Sequence, residues 1–532
     1  MRNIEIRHLI WQCFVTSIIL FSSNIAIAED AGPATKKSEV LRFEITGYVV
    51  DGALLLPAGE IEVVVAPYVG KDKNFSDVQR ALEAVETLYS KHGYTAIQVL
   101  LPVQELEKGK VHFRVIESRF NRVTVMGNKH VSDANVLDAL PSIRKGELPK
   151  SRQIARELKL ANENPSRQLN VVLKAGEKET VDAEISVKDK KPGITRVSFD
   201  NTGTPETGRT RFGLAYTNAN LFDSDHVGSL QLQVSPQHMS SVRVFGGTYK
   251  IPLYRYGDSI DFFGGYSNVN SQVGGLSNFQ GGGRLLNAHY NFALERVGNF
   301  DPRLTFGIDW RDFKRIEQTQ PDSAVLYNEV VVTPFSLGYS GQGKGVRSDT
   351  NLDVNLSANV PMSSKGNKEA FANYDPLRLL LPDVNYRIVR YGGSYVQAFG
   401  QDWQLHTALN GQWSRNVLIL GEQMRLGGMY GVRGFAEGSE AGEQGTRWTL
   451  EGYTPSFSEW DIDNRALMFF DGGKVSSHGG LHSSITSAGL GLRSTWKDFS
   501  ARLDLARIGK AGSDPLQKVG DWRGHFELST SF

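Results

Sequence analysis

Cysteine is nearly missing from this chain: there is one, Cys13, in 532 residues. It lies in a stretch that reads as a cleaved leader, so the mature chain is expected to hold no thiol and no disulfide. That is compatible with an oxidising compartment without requiring one. An excess of charge is missing too. With 59 basic and 58 acidic side chains the formal net charge is +1, which gives no support for nucleic-acid binding. No apolar run reaches the ~20 residues that a membrane-spanning helix needs. Catalytic signatures are also absent: there is no H-E-x-x-H, no G-x-S-x-G, no cysteine nucleophile and no Walker-type phosphate loop. Gly341-Gln342-Gly343-Lys344-Gly345 is glycine-rich but wrongly spaced, and reads as a turn between strands. Histidines are scattered singly. The chain is therefore expected not to be an enzyme and to use no cofactor or metal.

What is present begins with a leader. Arg2, Arg7 and His8 form a charged start, Leu9 to Phe21 is mostly apolar, and Ala26-Ile27-Ala28 is a small-x-small cleavage site. Residues 1–28 thus read as a secretory signal peptide; the alternative, an N-terminal anchor, has too short an apolar run. An exported chain without a membrane helix is either soluble or a β-barrel. Residues 29–40 form a short polar linker containing Gly32 and Pro33.

From Leu41 the pattern is mixed α and β. Phe43 and Ile45 alternate, as do Ile61, Val63 and Val65, which reads as strand. Between Asp77 and His92, Val78, Ala81, Leu82, Val85, Leu88 and Tyr89 share one helical face. Ser76 is the expected N-cap and Gly93 the expected stop. Strands follow at Tyr94–Val99 and around Val111, Phe113 and Val115, giving a β-α-α-β-β unit over residues 41–117. The unit then repeats over 118–191. Val123 and Val125 lead to Gly127-Asn128, two short helices follow at Ser132–Leu140 and Ser151–Ala161, and two alternating runs end before Pro192-Gly193. Tandem units of this kind resemble POTRA domains; by composition alone they could equally be generic α+β binding modules.

From residue 192 to Phe532 period-two alternation replaces helical periodicity. Phe212, Leu214 and Tyr216 alternate with Arg211, Gly213 and Ala215; Leu304, Phe306, Ile308 and Trp310 alternate with Thr305, Gly307, Asp309 and Arg311. The last run places Trp522, Gly524, Phe526, Leu528, Thr530 and Phe532 on one face and Arg523, His525, Glu527, Ser529 and Ser531 on the other. One apolar and one polar face fits a barrel with lipid outside and water inside, and equally a soluble sandwich turned inside out. Strands of ~10 residues over this length predict a transmembrane antiparallel barrel of about 16 strands. A final strand carrying Phe526, Leu528 and Phe532 looks like the signal read by the barrel assembly machinery.

Two motifs sharpen this. Glu422-Gln423, Leu426-Gly427-Gly428 and Val432-Arg433-Gly434-Phe435 form a glycine-rich stretch, with Gly445 and Glu451 beyond it; Phe469, Asp471 and Gly473 lie further on. Together with the tandem units, the chain resembles the two-partner secretion transporters, the haemolysin secretion/activation and filamentous haemagglutinin transporter family. The resemblance covers nearly the whole mature chain. It implies that residues 421–447 fold inward as a loop and that Arg433 pairs with Asp471. It also implies a bacterial outer-membrane location with the POTRA domains in the periplasm. The partner it implies is a large, β-helical exoprotein, unfolded in transit, that adds as a strand to an open POTRA sheet edge. Lipid and the barrel assembly machinery are the other expected partners, and nucleic acid is not. Many members carry a plug helix before the first POTRA domain; residues 29–40 have no apolar stripe to form one. A barrel-assembly insertase of the same superfamily and a surface adhesin or receptor barrel are the alternatives.

Overall fold

The computed structural model describes residues 41–104, 109–204, 207–239, 242–268, 271–273, 277–279, 282–317 and 325–532. The expected leader and linker, residues 1–40, lie outside the described residues.

The first unit is a three-stranded sheet in the order Gly47–Asp51, Lys110–Glu117, Ile97–Leu100. Its first pair is parallel, so the chain must cross over between them, and helices Ala58–Val65 and Phe75–Lys91 lie in that crossover. The first of these helices corrects the strand expected at Ile61, Val63 and Val65. Ile61 and Val65 are buried one turn apart while Val63 is largely exposed, a spacing that serves a helix as well as a strand when only three positions are read. The second helix buries Val78, Ala81, Val85 and Tyr89. Its N-cap is Asn74 rather than Ser76: the Asn74 side chain accepts from the Ser76 and Asp77 amides, and Asp77 accepts from the Asn74 amide, a reciprocal capping box. Gly93 follows the helix with φ +86°. The strand after it covers only Ile97–Leu100.

The second unit repeats the plan. Phe120–Met126 runs parallel to Val181–Asp189, which pairs antiparallel with Arg167–Ala175. Helices Asp133–Asp138 and Ser151–Ala161 pack Val136, Ile154 and Ala161 onto Leu169 and Ile185.

The remainder closes into a barrel. Its strands are β1 Gly193–Asp200, β2 Arg211–Leu221, β3 His226–Val234, β4 Arg243–Leu253, β5 Asp258–Ser267, β6 Gly283–Ala293, β7 Phe300–Phe313, β8 Pro334–Lys344, β9 Ser348–Asn359, β10 Arg387–Phe399, β11 Trp403–Trp413, β12 Gln444–Tyr453, β13 Ile462–Ser476, β14 His482–Trp496, β15 Phe499–Lys510 and β16 Trp522–Ser531. Two short segments extend the ladder: Val330–Val332 pairs with β7 above β8, and Phe457–Glu459 pairs with β13 below β12. All neighbours are antiparallel, and the ring closes where β16 meets β1 from Glu527↔Asp200 to Ser531↔Arg196. The sixteen strands are thus the closed form in which every backbone group of a lipid-exposed sheet finds a partner. Gly341 to Lys344 belong to β8, not to a turn: they pair in register with Asp349 to Leu352 of β9. Only Gly345 begins the turn, and none of these glycines has a positive φ.

Alternation decides which face meets lipid. On β13, Met468 and Phe470 are 66% and 45% exposed, whereas Phe469 and Asp471 between and beside them are 4% and 0%. On β9, Leu352, Val354 and Leu356 face out in the same way. Among the described residues no helix is long and apolar enough to cross a membrane; the strands do so.

Candidate functional site: a loop latched inside the barrel

Because β1 leaves the second unit, even-numbered strands end on that unit's side and the long connections fall on the other. The longest of these, residues 414–443 between β11 and β12, does not stay outside. Met424–Leu426 and Glu440–Gly442 pair as a hairpin stem, and the tip folds against the inner wall of β12–β16. Val432 and Phe435 are fully buried there against Val475, Ile485 and Ile508. Leu426 packs onto Gly473, where a Cβ would lie 2.8 Å from the leucine side chain. Gly434 has φ +92°, a conformation that side-chain-bearing residues avoid, and a Cβ there would be 3.2 Å from Ala506.

That tight approach presents Arg433 to Asp471. Arg433 Nε donates to Asp471 Oδ2 at 2.7 Å and Nη2 donates to Oδ1 at 2.8 Å. The Arg433 amide adds a third bond at 3.1 Å, and Thr449 Oγ1 donates to Oδ1. An ionised carboxylate offers about four acceptor sites, so Asp471 is saturated although fully buried. The guanidinium lies over the Phe469 ring with Cζ 3.5 Å from its centroid, adding a cation–π contact. Its remaining nitrogen, Nη1, is 2.7 Å from Glu451 Oε1 and 3.6 Å from Asp504 Oδ1. It is off-line for a directed hydrogen bond to either, so these are ion-pair contacts only. Asp504 is balanced by Arg493 at 2.9 Å and Arg502 at 2.7 Å. Three arginines and three carboxylates therefore neutralise one another behind the loop.

Other bonds trim the tip. His525 Nε2 accepts the Gly434 amide at 3.0 Å, Arg502 donates to the Met429 carbonyl, and Tyr430 donates to Glu527 at 2.7 Å. Of the residues singled out on the last strand, Phe526 packs its ring 5.6 Å from Phe199 across the closing seam. Leu528 stands opposite Phe199 in register. Phe532 is exposed, and its backbone pairs with Thr195 in both directions. Asp504, Thr449 and His525 are partners of the loop that no sequence motif marks. Their signal, a polar residue on the inward phase of an otherwise apolar-out strand, was readable; which of them meet depends on register, which sequence alone does not set.

A second cluster joins the barrel to the unit before it. Arg167 of the second unit is buried and pairs with Asp225 in the β2–β3 turn. Asn135 donates to Asp225 at 3.1 Å and to the Asp223 carbonyl at 3.0 Å, and Tyr254 donates to Asp225 at 2.6 Å. Phe222, Asp223 and Asp225 all have positive φ, so this grip holds a turn that its own residues disfavour. At the rim of the seam Glu163 takes Lys250 at 2.9 Å and Arg303 at 2.6 Å. Burial works against its ionised form, and the two facing cations overcome this, holding its pKa below the ordinary carboxylate value.

Comparison with known proteins agrees with this architecture. The family described as haemolysin secretion/activation protein ShlB/FhaC/HecB matches residues 180–494, and the ShlB-type POTRA domain matches residues 43–118. The heme/hemopexin transporter protein HuxB of Haemophilus influenzae is 24% identical over 423 residues, covering 75% of this chain and 70% of that protein. Outer membrane transporter CdiB of Escherichia coli O6:K15:H31 is 24% identical over 452 residues, covering 82% and 73%. The solved structure of CdiB from Escherichia coli superposes with a TM-score of 0.75 at 21% identity, covering 94% of this chain and 93% of that one.

Proposed function

The chain belongs to the haemolysin secretion/activation protein family and is an outer-membrane transporter of the two-partner secretion type, and from that premise we propose how it works. The observation that carries the proposal is the loop inside the lumen, held through Arg433 and Asp471. A secreted partner binds first in the periplasm, where Gly47–Asp51 and Ile97–Leu100 are the edge strands of the first unit's sheet among the described residues and accept an extended segment. Backbone pairing of this kind reads extension more than side chains, which suits an unfolded client that is β-helical only after export. The client then passes through the barrel, and folding outside prevents its return. No step calls for bond chemistry, so the protein acts as a pore and not as an enzyme.

In this reading the arginine–aspartate pair sets the loop's position rather than the barrel's stability, since a buried ion pair gives little net free energy after desolvation. The C-terminal strand with Phe526, Leu528 and Phe532 is what the barrel assembly machinery engages.

The test is deletion of residues 41–117. Export of the cognate exoprotein should fall to background while the barrel still inserts and shows heat-modifiable migration. The isolated region 41–190 should bind the exoprotein's N-terminal segment. Undiminished export by the deletion would place recognition elsewhere.

A further inference from the structure

The loop has another buried charge, at the opposite end from Arg433. Glu422 is 1% exposed and lies in the leg that descends from β11. Arg311 of β7 donates to its Oε1 at 2.6 Å and Arg390 of β10 donates to its Oε2 at 2.8 Å. Each arginine is itself held. Arg311 also pairs with Asp309 at 2.6 Å, and Arg390 Nε donates to Gln412 at 2.9 Å. Gln412 in turn donates to the carbonyls of Glu422 and Glu443, at 2.8 and 3.2 Å. One β11 side chain thereby clips both legs of the hairpin.

Position matters as much as contact. In the ring of sixteen strands β7 and β10, which hold Glu422, lie six and three strands from β13, which holds Arg433 through Asp471, and β7 is diametrically opposed to β15. Arg311 and Arg390 lie near the ends of β7 and β10 that face away from the POTRA units, whereas Asp471 and Asp504 sit deeper, within β13 and β15. The loop therefore runs obliquely inside the lumen, from the strands β7 and β10 down to β13 and β15. It lines, together with β1–β3, β6, β7, β9–β12 and β16, a polar cavity of about 1120 Å³.

We propose that Glu422 is a second anchor of the loop, opposite in charge to Arg433 and held on other strands, so that the loop is a strap fixed at both ends inside the pore. The two anchors share no residue, and neither polarity can substitute for the other: the tip offers a cation to carboxylates, the stem a carboxylate to cations. Releasing the tip alone frees the part against β12–β16 but leaves the strap tied under β7 and β10. Full opening of the lumen requires both to let go, and the stem sets how far a released tip can swing. Only the export arm of the test rests on the proposed function; the conductance arm stands on the barrel alone.

The experiment uses full-length protein in planar bilayers, with Glu422→Gln, Arg433→Ala and the double variant. Glutamine keeps the shape and removes the charge, leaving two arginines facing a neutral amide. Open probability should rise at least about tenfold in Glu422→Gln, the change that about 1.4 kcal/mol represents. In the double variant the two factors should multiply, as they do for separate sites. Arg390→Gln, which leaves Arg311 on Glu422, should give a smaller rise and controls for any misfolding of the first variant, with heat-modifiable migration checked for each. Wild-type conductance from a correctly folded Glu422→Gln, or a double variant no more open than Arg433→Ala, would overturn the proposal. Altered conductance with unchanged client export would leave the strap standing and count against the export reading instead.

Discussion

Arg433 meets Asp471 side-on, through Nε and Nη2, with 2.7 and 2.8 Å to the two carboxylate oxygens. The pair joins a loop tip to a strand interior 38 positions away, and both partners are withdrawn from water. Such a contact is costly to leave half made: removing one member of a buried pair typically costs ~3–5 kcal/mol, because the other charge is stranded.

Arg433→Ala and Asp471→Ala should therefore each reduce export at least about tenfold, and the double variant should be no worse than the more affected single one. Arg433→Lys should restore little, since an ammonium cannot reproduce the planar two-pronged contact or lie flat over Phe469. All four proteins should reach the membrane, because the lipid-facing side chains of β13 are untouched. The measurement is client released into the medium, normalised to folded transporter. Independent, multiplicative losses would mean that the two residues do not act as a pair.

Much of this architecture was legible in the sequence for a physical reason. Period-two alternation records which residues face lipid, and it survives in every strand because each violation would put a polar group into hydrocarbon. Helix faces such as Val78, Ala81, Val85 and Tyr89 are equally plain. Three apolar positions such as Ile61, Val63 and Val65 are too few to separate a helix from a strand, and there the structure has a helix. What alternation cannot carry is register and rotation around the ring. Glu422 stood in a recognisable segment, but Arg311 comes from a strand 111 positions away, brought to it only by assembly of the ring, and Arg390 meets it only through the register of the β10–β11 hairpin. The Arg167–Asp225 seam was hidden for the same reason.

That seam makes its own prediction. Arg167→Ala should free the second POTRA unit from the barrel without unfolding either, read as faster proteolysis between residues 189 and 193 and a broadened distance between spin labels on the two parts. Glu163 adds a pH-dependent part at the rim. Its pKa in the docked state is depressed, so its contribution is complete above the ordinary carboxylate value of 4.5 and is lost only as pH falls through the lower docked value. The part of docking lost in Glu163→Gln should thus be unchanged from about pH 8 to about pH 5 and shrink in stronger acid. A wild-type-minus-variant difference that already shrinks between neutrality and pH ~6 would show that Glu163 is not held ionised by Lys250 and Arg303.

The sharpest test of the loop's seat is steric rather than electrostatic. Leu426 lies against Gly473, and the 2.8 Å that a Cβ would leave is closer than carbon atoms approach. Gly473 is a barrel residue in regular pairing with Arg447 and Ile485, with no positive φ to strain. Gly473→Ala should therefore leave β13 paired and the barrel assembled. It should instead lift Leu426 and loosen the tip it leads into, weakening the Arg433–Asp471 contact although neither partner is changed. Overpacking of this kind typically costs ~1–3 kcal/mol, so export and resting conductance should shift in the same direction as in Arg433→Ala but less far. Shortening the loop side chain by Leu426→Ala should relieve the clash and restore part of the difference. Measured in the same bilayers, equal conductance for wild type and a folded Gly473→Ala would show that the loop does not rest on this wall.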